Sequence, residues 1–273
     1  MVRVNRATPA AAAVAGTGHL TGQDVSGLLF VADMYGVQLD HLARLLAVGE
    51  PRARAVAAGW RQAGLAESAR IGPGRPWVWL TRTGLAACGL RYSAAAPALS
   101  RLAHLRAVTA VRLALEAVPG YTAGGAFWRS ERRLRARTGG RVGLGEHIPD
   151  GEIHWPDAAA GTTGAGTTGA AGWAGECWAV EAELTRKTVA RTTAIMREIL
   201  TRTGDYGCPA GQAREPGAPP RHARVLYLCS PAAVATVTRA RDALGAAGAR
   251  VEIRPLPADA ALPSPVTSRG AAR

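Results

Sequence analysis

The chain of 273 residues predicts a mixed α/β (α+β) protein in two parts, and three observations point that way. Residues 20–81 read as three short helices followed by a hairpin. Residues 98–256 alternate helical with strand patterns, the grammar of a mixed sheet covered by helices. Within that second part, Val180, Ala182 and Leu184 alternate with Glu181 and Glu183, so a strand over 177–184 puts two carboxylates on one face.

The first part opens at Leu20, after an Ala-rich arm (1–19) expected to be disordered. Thr21 with Asp24 makes an N-terminal cap, and Val25, Leu28, Leu29 and Ala32 recur at helical spacing. A second helix spans 39–47 on an inner face of leucines. Pro51 stands at a first helical position and opens a third helix over 52–63, which Gly64 ends. That helix carries Arg52, Arg54, Arg61 and Gln62, side chains suited to phosphates and base edges. The hairpin 67–71 and 77–81 turns at 72–76, with Arg70 and Arg75 near its tip. Helix, turn, helix, hairpin in this order is the pattern of a winged helix-turn-helix over 20–97, and its expected partner is double-stranded DNA. Trp77 and Trp79 share a face and cover the small core; His41 reads as a surface or capping residue.

The net charge of +13 and the pI near 11 agree with a polyanionic partner. No apolar run approaches the roughly 18 residues that cross a bilayer, so a cytoplasmic protein with no membrane partner is expected. Four scattered cysteines without a C-x-x-C pair indicate neither a disulfide framework nor a zinc site.

The second part, 98–256, begins with a long amphipathic helix (98–118, holding His104) that either joins the domains or forms a homodimer interface. Strands are expected over 126–137 and 147–155, the latter with Asp150, Glu152 and His154 on one parity. An Ala/Gly/Thr-rich insertion at 156–175 reads as a floppy loop. The acidic strand 177–184, a helix 188–202, a strand 223–229, a helix 231–246 and a strand 250–256 follow, then a tail (257–273) expected to be disordered.

The chemistry concentrates in Ile148-Pro149-Asp150 and in the stretch from Cys177 to Lys187. Two like charges on one strand face repel and are costly when buried. A hard divalent cation reverses that sign, because Mg²⁺ (or Mn²⁺ as its substitute) takes oxygen ligands. Asp150, from a neighbouring strand, would be a third ligand beside Glu181 and Glu183. Lys187, the one lysine among 33 basic residues, would place a positive charge on a developing phosphorane. Asp150, Glu181, Glu183 and Lys187 are therefore the candidate catalytic set, and the first three the candidate metal ligands. No tyrosine is seen beside a histidine cluster, which argues against a tyrosine nucleophile.

Pro149-Asp150 on one strand and paired acids on the next resemble the PD-(D/E)XK nuclease superfamily, with Glu183 where its lysine usually stands and Lys187 as a displaced substitute. The whole order, with Leu80-Thr-Arg-Thr-Gly84, His147-Ile-Pro-Asp-Gly151 and Val180-Glu-Ala-Glu-Leu-Thr-Arg-Lys-Thr188, resembles the replication-relaxation family of actinobacterial plasmids and integrating elements. That resemblance implies plasmid replication or DNA mobilisation, other replication or transfer proteins as partners, and a Mg²⁺-dependent DNA phosphodiesterase. The other reading is a non-catalytic DNA-binding accessory factor or repressor whose nuclease-like domain only scaffolds partners.

Overall fold

In the computed structural model, which describes residues 20–138, 146–156, 173–204, 206 and 219–262, the chain divides into two units. The described residues through Thr109 and those from Ala258 form the first; Ala110–Pro257 is the second. The arm 1–19, residues 157–172 of the insertion and 263–273 of the tail lie outside the described residues.

Helices α1 (Gly22–Asp33), α2 (Leu39–Leu45) and α3 (Glu50–Gln62) lead the first unit. The capping box forms as the spacing requires: the Thr21 hydroxyl accepts from the Asp24 amide, and the Asp24 carboxylate accepts from Thr21 N–H. Strands β2 (Ala66–Ala69) and β3 (Trp77–Leu80) make the hairpin. A two-residue strand the sequence pattern did not signal, β1 (Val37–Gln38), pairs antiparallel to β3, giving the order β1-β3-β2. Gln38 anchors the turn, donating to the carbonyls of Pro73 and Arg75 at 2.9 and 3.0 Å. Helix α4 (Arg82–Ala87) follows. A Cβ on its Gly84 would stand 1.9 Å from the Leu65 carbonyl oxygen, while Thr81 caps the Gly84 amide. The Leu-Thr-x-x-Gly signature thus closes the helix onto the hairpin.

Two expectations are corrected in this unit. His41 is 2% exposed, not on the surface; it lies 3.4 Å from Asp259, which also pairs with Arg44 at 2.6 Å. The stretch expected to be a loose tail from 257 is placed as far as Leu262. Ala258–Ala260 form a 3₁₀ turn, Ala261 O accepts from Arg106, and Leu262 packs beside Trp77, Trp79, Leu102 and Leu105.

Helix α5 (Leu102–Glu116) contains the division between the units. Pro119, expected to end a long helix, opens a separate short one, α6 (Pro119–Ala123). Strand β4 (Phe127–Ser130) is shorter than the strand expected over 126–137. The Ser130 hydroxyl accepts from Arg133 N–H and starts α7 (Glu131–Arg137); an N-cap serine before a run of good helix formers outweighs the strand reading.

The five-stranded sheet runs β4, β5 (Gly151–His154), β6 (Cys177–Glu183), β7 (Arg224–Cys229), β8 (Val251–Pro255). The first three strands are antiparallel and the last three parallel. Parallel neighbours need crossovers, supplied by α8 (Val189–Thr201) and α9 (Pro231–Asp242). Met196, Ile199 and Leu200 of α8 and Ala233, Val237 and Ala240 of α9 pack on Ala179, Val225, Tyr227, Cys229 and Val251. The other face carries Trp178, whose ring lies 4.7 Å from Trp155 and 5.0 Å from Trp173. The described ends of the insertion are therefore packed rather than floppy.

Candidate functional site

Register decides which acids meet. Glu152 pairs with Ala179 and Ala179 with Val225, while Glu181 pairs with Tyr227 and Glu183 with Cys229. Side chains opposite one another in a ladder share a face. Glu152, His154, Ala179, Glu181 and Glu183 therefore stand on the α8 and α9 side, in two polar groups with the apolar Ala179 between them.

The group at the C-terminal end of β6 holds the predicted residues. β5 starts at Gly151, where a Cβ would come 2.0 Å from the Trp128 ring, so the residue after Asp150 must be glycine. The Asp150 carboxylate extends the ladder past the strand end, accepting from Ala182 N–H at 2.8 Å. Glu181 is 6% exposed and accepts from His147 Nε2–H at 2.7 Å. Burial, and then the Asp150 charge, push its carboxyl pKa up against the pull of His147 and Lys187. Glu183, also 6% exposed, is engaged by Lys187 Nζ at 2.5 Å. Tyr227 lies beneath all three carboxylates: burial first, then Glu181, Glu183 and Asp150, raise its phenol well above the usual range.

The four predicted residues are thus electrostatic neighbours, but their oxygens do not close around one point. Each carboxylate instead takes its own donor: a backbone amide, an imidazole and an ammonium. The member missed from sequence is His147. Its backbone N–H donates to Glu198 at 2.8 Å. Burial alone would lower its pKa; Glu181, with Asp150 and Glu198, overcomes that and holds it above the ordinary imidazole value. The signal was present, since His147 lies three residues before Asp150 in the motif quoted above.

The group at the other end centres on Glu152, which is fully buried. Arg221 grips both its oxygens at 2.7 and 2.9 Å. His222 and His154 Nε2 each stand 2.8 Å from it. Despite burial, these partners hold its pKa far below the carboxylate range. Among the described residues, three potential metal ligands whose donor atoms lie within 4.8 Å of one another are found here, as Glu152, Cys177 and His222, and not at Asp150, Glu181 and Glu183. No tyrosine stands beside a histidine cluster in the sequence, but the fold brings Tyr206 Oη to 3.2 Å from His222 Nε2. That phenol is buried, and burial with the Glu152 charge raises its pKa, the opposite of nucleophile activation.

In the first unit, Arg52, Arg54, Arg61, Gln62, Arg70 and Arg75 are all exposed. Arg75 pairs with Glu50 at 3.0 Å, and Arg52 faces the charge of Asp24. At about 100° per residue, the four α3 residues do not share one face. Arg54 and Arg61 line one flank and Arg52 the opposite one, because buried Ala53, Ala57 and Trp60 orient the helix. Its outward ridge is Pro51, Ala55, Ala58 and Gln62.

Among the described residues no helix is long and apolar enough to cross a membrane. No protein-family model, no curated protein and no solved structure matches the chain.

Proposed function

We propose that this chain is a double-stranded DNA-binding protein of plasmid replication or mobilisation, with a winged helix-turn-helix as its first unit and a PD-(D/E)XK-like domain as its second. The carrying observation is α3, with small apolar residues and Gln62 along its outward ridge and arginines on both flanks. Such a helix fits a major groove: Ala55 and Ala58 can meet thymine methyls, Gln62 a base edge, and the flanking arginines phosphates. Arg70 and Arg75 in the adjoining hairpin add phosphate contacts, and the net charge of +13 agrees.

Anisotropy titrations with duplex DNA across salt test this reading. The Arg54→Ala/Arg61→Ala double variant should lower the salt slope by about two units, roughly 0.9 per lost phosphate contact. An unchanged slope and affinity would remove the assignment.

A second reading, phosphodiester hydrolysis, is favoured by the closeness of Asp150, Glu181 and Lys187. The donor chemistry fits a hard cation at Asp150 and Glu181, whose like charges a Mg²⁺ ion would neutralise. Glu183, held by Lys187, fits less well as a third ligand. Bound there, Mg²⁺ would polarise a phosphate and acidify a water. His147, on Glu181, would hold a proton at Nε2 beside that position, and Lys187 would offset negative charge. Nicking of supercoiled DNA that is abolished by Glu181→Gln and by Lys187→Ala supports hydrolysis. Nicking that survives both substitutions comes from another source.

A further inference from the structure

The Glu152 group gathers three metal-binding side chains, Glu152, Cys177 and His222, with donor atoms within 4.8 Å of one another. His222 Nδ1 faces the Ile199 carbonyl oxygen at 3.2 Å, an atom that only accepts, so Nδ1 carries the ring proton. Nε2 points at Glu152 Oε1 from 2.8 Å and lies 3.2 Å from the Tyr206 hydroxyl. A carboxylate oxygen and an imidazole nitrogen thus meet at one buried junction. The third donor at the junction, Cys177 Sγ, is itself a metal-binding atom.

We propose that Glu152, Cys177 and His222 form a binding site for a divalent transition-metal ion of the zinc class. Thiolate, imidazole and carboxylate together suit Zn²⁺, whereas Mg²⁺ takes oxygen ligands almost alone. Two donors on one tetrahedral zinc stand about 3.5 Å apart. The Cys177 to His154 separation of 3.6 Å has that scale, and His154 Nε2 also stands 2.8 Å from Glu152 Oε2. The supports behind the ligands are those metal sites use: a backbone carbonyl orients His222 through Nδ1, and a guanidinium steadies the carboxylate. Arg221 occupies one lone pair on each Glu152 oxygen, and the second lone pairs face His222 and His154. The ion would tie β5, the start of β6 and the entry to β7 together. It would lie on the same sheet face as Asp150 and Glu181, across Ala179, and does not depend on hydrolysis there.

Cobalt titration of the full-length, untagged chain tests the site with the metal alone. A sulfur-to-cobalt charge-transfer absorption should rise to saturation at one ion per chain and be displaced by Zn²⁺. It should vanish in Cys177→Ser and weaken in His222→Gln, while Cys88→Ser, Cys208→Ser and Cys229→Ser retain it. Alkylation of the wild-type protein gives a reading independent of any variant's folding: Zn²⁺ should protect Cys177 from iodoacetamide several-fold. Absence of both the absorption and the protection overturns the proposal. An absorption that survives Cys177→Ser overturns it as well.

Discussion

The polar groups at the two ends of β6, one built on Glu152 of the neighbouring β5 and one on Glu181 of β6 itself, hold the same residue type on the same sheet face and treat it in opposite ways. Glu152 is surrounded by more positive and donor groups than one carboxylate needs: a forked guanidinium and two imidazoles. Glu181 has one imidazole partner and a like-charged neighbour in Asp150, with the ammonium group turned to Glu183. The pKa directions record the contrast, downward at Glu152 and upward at Glu181. One end is a charge locked by its own protein. At the other, an added cation would improve the electrostatics, because repulsion is stored there. Burial alone does not separate the two, since both carboxylates are buried; the balance of partners does.

The largest effect should come from the locked end. Glu152→Ala takes from half-buried Arg221 the carboxylate it grips, and removing one partner of a buried pair costs about 3–5 kcal/mol. Urea unfolding of this variant should show that loss, with Glu181→Gln costing clearly less. Equal losses at the two ends would break the comparison.

Sequence pattern located the strands other than β1, though it overran the end of β4, together with the crossover helices and the sharing of a face by Glu181 and Glu183, because period and capping are local properties. The helix at Glu131 was hidden because Trp128 and its neighbours form a true strand that ends at a serine cap two residues later. What pattern could not deliver was pairing across the sheet. Cys177, Glu152 and His222 come from three separate segments, and only the β5–β6 and β6–β7 registers bring them together. The same holds for Tyr206 beside His222. The tail was misread because Asp259 and Leu262 look unremarkable until Arg44, His41 and the Trp77 cluster are placed around them.

A smaller, pH-dependent effect should mark the other end. The folded-state pKa of His147 lies above its unfolded value. Its ion pair therefore contributes stability that is fully present below about pH 6.5, the unfolded imidazole value, and is lost as pH rises through the folded pKa. Wild type should exceed His147→Gln by about 1 kcal/mol in mildly acid buffer, and the gap should close in alkaline buffer. Urea midpoints measured across pH would show it. A gap that widens with pH would mean that His147 is not held as a cation by Glu181.

The smallest expected change, and the one that most sharpens the contrast, is Asp150→Asn. The amide oxygen can still accept from Ala182 N–H, so the extended ladder at the start of β5 survives. What disappears is the negative charge that raises the Glu181 pKa. Above the raised Glu181 pKa the variant should match wild type or exceed it by less than about 1 kcal/mol. That gain should fade in acid, where Glu181 takes up a proton and the repulsion ends in both proteins. The Glu181 carboxyl, followed by ¹³C NMR, should titrate at lower pH in the variant. The same substitution should also weaken any stabilisation of the fold by millimolar Mg²⁺, because it removes both a ligand and the repulsion the ion would relieve. A loss above about 2 kcal/mol at neutral pH, without a fall in the Glu181 pKa, would show that Asp150 acts through its ladder hydrogen bond alone. The two ends of the strand would then differ in geometry and not in stored charge.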